Sequence, residues 1–204
     1  MSLTSSFVSQ QAQLFHWLQH DDERMYALHA GLNIAKQNRI EHWLIAAGFV
    51  RNLVWDKLHG YPSSLSGSGV KADIDFIYFC PKDSSKVRDL DIEQQFQQLG
   101  DEFTWSVKNQ HRMHSRNGDK PYVDLVDSMG HWPEKETAIG VRLEPNLISY
   151  EFHLESAFGL ESLFGLQLSH NPKRQYQVFQ SRLTEKSWLE RYPKLTIMPI
   201  QVGE

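Results

Sequence analysis

The segment Ala72–Cys80, with the sequence ADIDFIYFC, places the strongest constraint on the fold. Aromatic and β-branched residues fill it and Pro81 closes it, which is typical of a strand buried in a sheet. Its first half also contains two acids, Asp73 and Asp75, within an otherwise apolar run. Because side chains alternate along a strand, both carboxylates project to one face, while Ile74 points to the other. The fold must therefore include a sheet that carries two adjacent carboxylates.

The segments before this strand predict helices and one further strand. Apolar residues recur at helical spacing in residues 5–20, 25–35 and 50–58. The short apolar run 43–47 ends at Gly48 and is typical of a buried strand that reaches a turn. A strand, a glycine and a helix therefore follow one another directly before the Ser/Gly-rich loop.

The segments after this strand continue the mixed pattern and define the fold class. Further strands are predicted over 103–114, 137–143 and 147–154, with helices between Asp83 and Gly100 and over 174–191. The Ser/Gly-rich stretch 61–71 is predicted to be a flexible loop. We expect an α+β fold, with a short mixed sheet, helices on one of its faces and additional helices from both termini.

Length and composition limit the classes of protein. The 204 residues predict a single domain, 1–204, with a core of about 40–170, a helical extension 1–39 and a C-terminal helix and tail 171–204. The net charge of −4 argues against a general nucleic-acid binder. No apolar run approaches the roughly 20 residues of a membrane span. The single cysteine, Cys80, suits a reducing compartment, so we expect a cytoplasmic protein with no membrane partner.

The paired acids suggest a metal site. Two carboxylates at the head of an apolar strand are costly to keep unless a positive charge lies beside them. Mg²⁺ or Mn²⁺ is a natural partner, because hard cations prefer carboxylate oxygens and leave room for substrate phosphates. In the alternative interpretation, Asp73 and Asp75 lie at the exposed start of a strand and make only capping or loop contacts.

The turn before the helix suggests a phosphate site. Gly48 lets the backbone approach a ligand closely, and a helix beginning near Phe49 presents free N–H groups to an anion. Arg51 and Asn52 lie in its first turn, where they could contact phosphate directly. A plain turn remains the alternative for such a glycine. Together with the paired acids, however, the turn predicts a site for a metal-bound nucleotide.

These motifs resemble those of a known superfamily. Ala47-Gly48-Phe49 opening a helix, a Ser/Gly loop and Asp73-Ile74-Asp75 on a strand are similar to the nucleotidyltransferases with the DNA polymerase β-like fold. AAGFVRNLVWDKLHG, DIDFIYF, WSVKNQHRMH, HWPEKETAIGVRL and AFGLESLFGL more closely resemble a bacterial nucleotidyltransferase-like family whose activity is not assigned, over about 40–170. The resemblance implies that the turn holds nucleotide phosphates and that Asp73 and Asp75 bind the metal.

Two positions depart from the superfamily pattern. Phe49 follows Gly48 where the superfamily usually has serine or glycine, so a serine contact to phosphate is missing. The superfamily also uses a third carboxylate from a later strand, whereas the matching strand here reads Lys108-Asn109-Gln110. Asn109 could supply a neutral oxygen ligand, which binds Mg²⁺ more weakly than a carboxylate. Lys108 could stabilise charge on the leaving group, or could simply be a solvated cation.

The sequence therefore predicts a metal-dependent nucleotidyltransferase. Such an enzyme moves a nucleoside monophosphate from a nucleoside triphosphate to an acceptor, which here is not identified. The missing third acid leaves a second interpretation open, in which the chain is a catalytically weak or inactive nucleotide-binding sensor or a partner-binding module with the same fold.

Overall fold

The computed structural model describes residues 3–63, 65 and 72–200, and within them the chain forms a five-stranded mixed sheet with helices on both sides. The strands of this sheet are β1 (Trp43–Ala46), β2 (Ala72–Tyr78), β3 (Phe103–Asn109), β4 (Ile139–Pro145) and β5 (Tyr150–Ser156). A small parallel pair consists of β6 (Gln167–Leu168) and β7 (Thr196–Ile197). The helices are α1 (Leu3–Gln19), α2 (Asp22–Gln37), α3 (Gly48–His59), α4 (Lys86–Gln97), α5 (Met113–Asn117), α6 (Leu125–Met129), α7 (Glu161–Phe164), α8 (Tyr176–Lys186) and α9 (Trp188–Arg191). Two 3₁₀ turns cover Gln110–Arg112 and Lys135–Thr137.

The strand order is β3-β2-β1-β4-β5, and only β2 and β3 within this sheet are parallel. Helix α4 connects these two strands and packs on β3. In the antiparallel pair β1 and β2, Ala46 lies opposite Asp75. Because α3 begins directly after β1, this register brings the start of α3 beside the paired acids of β2.

The two faces of the sheet are covered differently. Ile45 and Phe76 belong to the large core, to which the long helices α1–α4 contribute their apolar sides. On the opposite face, Leu44 and Ala46 pack in a smaller cluster with Met129 of the short helix α6. The expectation of helices on one face therefore holds for the long helices, and α6 places a helix on the other side as well.

Capping residues fix one end each of helices α2 and α3. Asp21 is the N-cap of α2, and its carboxylate accepts a hydrogen bond of 3.0 Å from the Arg24 N–H. Gly60 ends α3 with a φ of 74°, which is the left-handed conformation that glycine adopts without strain.

The strand predicted over 103–114 is shorter than expected. It ends at Asn109, whose carboxamide oxygen accepts hydrogen bonds of 3.1 Å from the N–H groups of His111 and Cys80. The amide group donates to the carbonyls of Cys80 and Asp83 at 2.9 and 3.0 Å. These bonds fix the turn, so residues 110–117 continue as helical turns and not as strand.

Four other predicted segments differ from the structure or cannot be compared with it. The helix predicted over 174–191 is divided into α8 and α9 at Ser187, whose φ is 46°. Both strands of the β4–β5 hairpin begin later than predicted. Of the predicted loop 61–71, residues 64 and 66–71 lie outside the described residues.

In the described part of the chain, no helix is both long and apolar enough to cross a membrane.

Candidate active site

Strand β2 carries the two acids at the end of the sheet where β1 leads into α3. Asp73 is exposed and Asp75 is half-buried. Both lie on the face of Ile77, because residues two apart share a side of a strand. The start of β2 is therefore a partly shielded place where two carboxylates lie next to each other.

The electrostatic surroundings of Asp75 are unusual for a carboxylate. Burial, reinforced by the charge of Asp73, raises its pKa from 3.8 to about 6. The positive charges of Arg51, Lys186 and Lys108 act in the opposite direction without cancelling the effect. A cation placed between the carboxylates would relieve this penalty, because it would stabilise the ionised form.

On the neighbouring strand β3, hydroxyl side chains and not a third carboxylate lie beside the two acids. The parallel register places Thr104 beside Asp73 and Ser106 beside Asp75. Asn109 is paired with Tyr78 and faces the other side of the sheet. It is fully buried, and its carboxamide is bound to backbone groups. Asn109 therefore supports the end of β3 and is not brought to the carboxylates.

The turn between β1 and α3 is strained. Ala47 has a φ of 57° and a ψ of −120°, a conformation that costs a residue with a Cβ about 1–3 kcal/mol. The Arg51 N–H makes the first helical bond back to the Ala47 carbonyl at 3.0 Å. The N–H groups of Gly48 and Phe49, within this first turn, have no partner inside the helix. The strained turn therefore directs the positive end of α3 toward the end of β2 that carries the acids.

Phe49 contributes only its backbone to this turn. Its side chain is 1% exposed and lies in the large core, with the Arg24 guanidinium 5.6 Å from the ring centroid. Arg24 Nε also donates to the Phe49 carbonyl at 3.1 Å. The aromatic residue at the position where the superfamily has serine or glycine therefore fixes the helix to the core.

Arg51 is held inside the protein beside the turn. Its guanidinium lies 4.5 Å from the ring centroid of Trp188 and 5.1 Å from that of Trp55. Nη1 donates to Thr137 Oγ1 at 2.8 Å, and Nη2 donates to Asn52 Oδ1 at 2.9 Å. Burial lowers its pKa to about 10, so it remains protonated at neutral pH. The residue is a fixed positive charge with most of its hydrogen-bonding directions already occupied.

Gly48 lies beside the Arg51 guanidinium and the Asn52 side chain. A Cβ built on Gly48 would lie 3.5 Å from Arg51 Nη2 and 3.5 Å from Asn52 Nδ2. The two side chains predicted to contact phosphate therefore do lie together at Gly48. Of the two, Asn52 is half-buried, and its side-chain nitrogen Nδ2 lies beside the turn, where it could donate to a ligand.

Two cations at the site were missed by the sequence analysis. Lys186, at the end of α8, interacts electrostatically with Asp75, and Arg182 of the same helix interacts with Arg51. Arg182 also forms an ion pair with the buried Glu134. No local pattern marks either residue, because both lie more than a hundred residues from Asp75 in the sequence and only folding brings them together.

The donor set fits a hard divalent cation bound together with its substrate. Among the described residues, no group of three or more His, Cys, Asp or Glu side chains could hold a metal ion. Mg²⁺ characteristically uses one or two carboxylates and completes its shell with water and substrate phosphates. Asp73 and Asp75 are two neighbouring carboxylates, the number that such a site uses.

Comparison with known proteins gives a family and a fold. A family model described as nucleotidyltransferase matches residues 33–197. An NMR structure described as revealing a CCA-adding enzyme head domain is 27% identical, with a TM-score of 0.75, and the match covers 93% of this chain and 96% of that one. No protein with a curated description matches.

Two more distant structures share the fold alone. A structure described as a tRNA-processing enzyme complex is 15% identical, with a TM-score of 0.51, over 81% of this chain and 42% of that one. A tRNA-processing enzyme in an apo form is 14% identical, with a TM-score of 0.51, over 81% and 44%. The chain thus spans less than half the length of these two proteins.

Proposed function

The chain belongs to the nucleotidyltransferase family, and on that basis we propose that it transfers a nucleoside monophosphate from a nucleoside triphosphate to the hydroxyl group of an acceptor. The observation that carries this proposal is the pairing of Ala46 with Asp75. It places the positive end of α3 and two adjacent carboxylates at one end of the sheet. A triphosphate needs both features, since its phosphates require donors and its charge requires a cation.

Each residue of the site then has a distinct task. The free N–H groups at Gly48 and the Asn52 amide bind the β- and γ-phosphates. Arg51 supplies a positive charge beside these donors, and its position is fixed because the guanidinium packs on the rings of Trp55 and Trp188. The positive charges of Lys186 and Lys108 partly offset the negative charge of Asp75.

Asp73 and Asp75 are the residues that would hold Mg²⁺ or Mn²⁺. When bound, such an ion supplies charge neutralisation on the phosphates and orientation of the α-phosphorus. In the transfer, a bond forms between the acceptor oxygen and the α-phosphorus, the bond between the α- and β-phosphates breaks, and pyrophosphate leaves. The acceptor hydroxyl loses its proton to solvent. Positioning and electrostatics supply most of the rate enhancement in reactions of this type.

A second function is favoured by one observation. Thr104 and Ser106 stand beside the acids where a third carboxylate would activate the attacking hydroxyl. A chain with this site can bind a triphosphate without transferring it, which is the behaviour of a nucleotide sensor. The two functions share the binding site and differ in turnover.

Binding is tested by thermal unfolding with ATP, CTP, GTP or UTP, each with and without Mg²⁺. A ligand at a hundredfold excess over its dissociation constant stabilises the folded state by about 2.7 kcal/mol. We expect Mg²⁺-dependent stabilisation by at least one triphosphate, and its loss in the Asp75→Asn variant. Asp91→Asn, which changes an exposed acid of α4, is the matched control and retains the effect.

Turnover is tested with the stabilising triphosphate labelled at the α-phosphate, incubated with fractions of a cell extract. Label in a new product, together with pyrophosphate, establishes transfer. Stabilisation without a labelled product from any fraction establishes the sensor. The absence of stabilisation by all four triphosphates contradicts both functions.

A further inference from the structure

The outer edge of β5 is a strand edge without a neighbour in the described part of the chain. β5 is the last strand in the order β3-β2-β1-β4-β5, so its only strand partner in this sheet is β4. None of its seven residues is fully buried. An open strand edge pairs readily with another strand, and folded proteins normally protect such edges.

The opposite edge of the sheet is protected in this way. Val107 of β3 donates its N–H to Glu93 Oε2 at 3.2 Å, and Asn109 donates its N–H to Asp89 Oδ1 at 3.1 Å. Both acids belong to α4, so side chains of that helix occupy the outward donors of β3. No described side chain bonds the outward backbone groups of β5 in the same manner.

The hydrogen bonds at the two ends of β5 show which of its backbone groups point outward. The Ala157 N–H donates to the Ala138 carbonyl at 3.0 Å, and the Asn146 N–H donates to the Ser149 carbonyl at 3.0 Å. Backbone groups of successive residues point alternately toward and away from the antiparallel neighbour. The odd-numbered positions 149–157 therefore bond toward β4, and the even-numbered positions 150–156 present their N–H and C=O groups to solvent.

The side chains of these even-numbered positions are mainly apolar. Phe152 and Leu154 pack against the large core, and the Phe152 ring stacks on that of Phe15 with their centroids 5.1 Å apart. Tyr150 lies on the same face of the strand. The large core therefore extends to the open edge of the sheet.

The other face of β5 carries charge. Arg142 of β4 donates to Glu155 at 2.9 Å and also binds Glu144. His153 Nε2 lies 3.0 Å from Glu155 Oε1. Glu151, in contrast, forms no ion pair with a described residue. A strand that pairs with this edge would fit best if it placed a polar donor opposite Glu151.

We propose that two copies of this chain dimerise by antiparallel pairing of their β5 strands, with Phe152 of one copy opposite Phe152 of the other. This register places Tyr150 opposite Leu154 on the apolar face and Glu151 opposite His153 on the charged face. Each contact occurs twice, because the interface has two-fold symmetry. The outward groups of Tyr150, Phe152 and Leu154 become hydrogen-bonded pairs, and the two sheets form one continuous sheet.

The charges select this register over its neighbour. A pairing centred on His153 would place Glu151 opposite Glu155, and like charges directly opposite each other destabilise a pair of strands. The register centred on Phe152 avoids this repulsion, because Glu155 then lies opposite Ser149. The partner that fits the edge is therefore a second copy in one defined register.

The hairpin tip before β5 gains a contact in this dimer. Leu147 and Ile148 are 103% and 95% exposed, although Asn146 Oδ1 fixes the turn by accepting the N–H groups of Ile148 and Ser149 at 3.1 and 2.7 Å. In the proposed register, Ile148 lies opposite Ser156 of the second copy. The tip thus reaches the far end of the neighbouring β5.

The register is tested by disulfide formation between cysteine variants in which the single natural cysteine is removed by Cys80→Ser. Positions 151 and 153 of the two copies form a non-hydrogen-bonded pair, whose Cα atoms lie about 4.5 Å apart, within the range of a disulfide. We expect an equimolar mixture of Glu151→Cys and His153→Cys to form a disulfide-linked dimer on mild oxidation, and neither variant alone to do so. A linked dimer of His153→Cys alone would show the register centred on His153 and overturn the proposal.

The contribution of the backbone is tested by sedimentation equilibrium. Tyr150→Pro removes the ring and the outward N–H, whereas the matched control Tyr150→Ala removes the ring and keeps the N–H. We expect the natural protein to dimerise reversibly, and the proline variant to have a dimer dissociation constant at least tenfold higher than that of the alanine variant. Urea unfolding of both variants shows that they remain folded, and the cysteine mixture decides alone if the proline variant does not.

Three further results would overturn the dimer. The first is a natural protein that stays monomeric up to about 1 mM, where even a weak association is detected. The second is equal dissociation constants for folded Tyr150→Pro and Tyr150→Ala. The third is a dimer whose cysteine mixture forms no disulfide, which would show that the copies associate through another surface. Triphosphate-dependent stabilisation does not enter this test, so the proposed function and the dimer stand or fall separately.

Discussion

The raised pKa of Asp75 predicts how the stability of the metal-free protein depends on pH. The pKa of this carboxyl is raised from 3.8 to about 6 in the folded protein. Since a tenfold change in proton affinity corresponds to about 1.4 kcal/mol, ionising Asp75 costs the folded state about 3 kcal/mol. The folded state holds this proton to higher pH than the unfolded chain does. The contribution of Asp75 to the free energy of unfolding is therefore most favourable below pH 4 and is lost as the pH rises through 6.

The substitution Asp75→Asn removes this penalty while keeping the size of the side chain. Without metal, the variant should be more stable than the natural protein by up to about 3 kcal/mol at pH 7.5, and the difference should vanish near pH 4. Urea unfolding followed by tryptophan fluorescence in the presence of a chelator gives the difference at each pH. Taking the difference between the two proteins cancels the titrating groups that do not interact with Asp75.

Adding Mg²⁺ or Mn²⁺ should reverse the order. The natural protein gains stability because the ion neutralises its carboxylates, whereas Asp75→Asn gains much less. Asp91→Asn should follow the natural protein under all these conditions. A variant that is less stable than the natural protein at pH 7.5 without metal, or a difference that does not change with pH, would refute the reasoning.

Two further predictions concern backbone strain and an ion pair. Ala46→Gly should destabilise the protein by about 1–2 kcal/mol, because it removes a buried methyl group and adds chain entropy to the unfolded state. Ala47→Gly should cost less, because at a φ of 57° the relief of backbone strain offsets the same losses. Chemical denaturation of both variants checks this, and equal losses would contradict it. The hydrogen bonds from Arg174 and Tyr122 lower the pKa of Asp119 to about 2, so Asp119→Asn should cost about 2 kcal/mol at pH 7. Unfolding curves should show this difference shrinking as the pH falls from 4 toward 2, and a difference constant over that range would refute it.

The main elements around the site could be predicted from local sequence. The apolar run of β2 gives the strand, and alternation alone puts Asp73 and Asp75 on one face. The turn at Gly48 and the end of α3 at Gly60 follow from the same kind of local pattern. These features depend on residues a few positions apart, so the sequence contains the information directly.

Prediction was weaker where a side chain overrides the local pattern. The apolar alternation after Phe103 extends the strand to His114, but the carboxamide of Asn109 binds two neighbouring segments and ends it. Ser187 similarly divides the last helix. Neither interruption is visible from periodicity, because it depends on which groups lie nearby in the folded chain.

The amino-acid sequence by itself thus determined which side chains are candidates for the chemistry and which face of β2 presents them. Only the tertiary structure decided what surrounds them: Thr104 and Ser106 beside the acids, Arg51 enclosed by tryptophans, and Lys186 brought from the C-terminal helices. The physical reason is that strand and helix periodicity is a local property. Register and helix docking are set by the burial of distant apolar surfaces against one another.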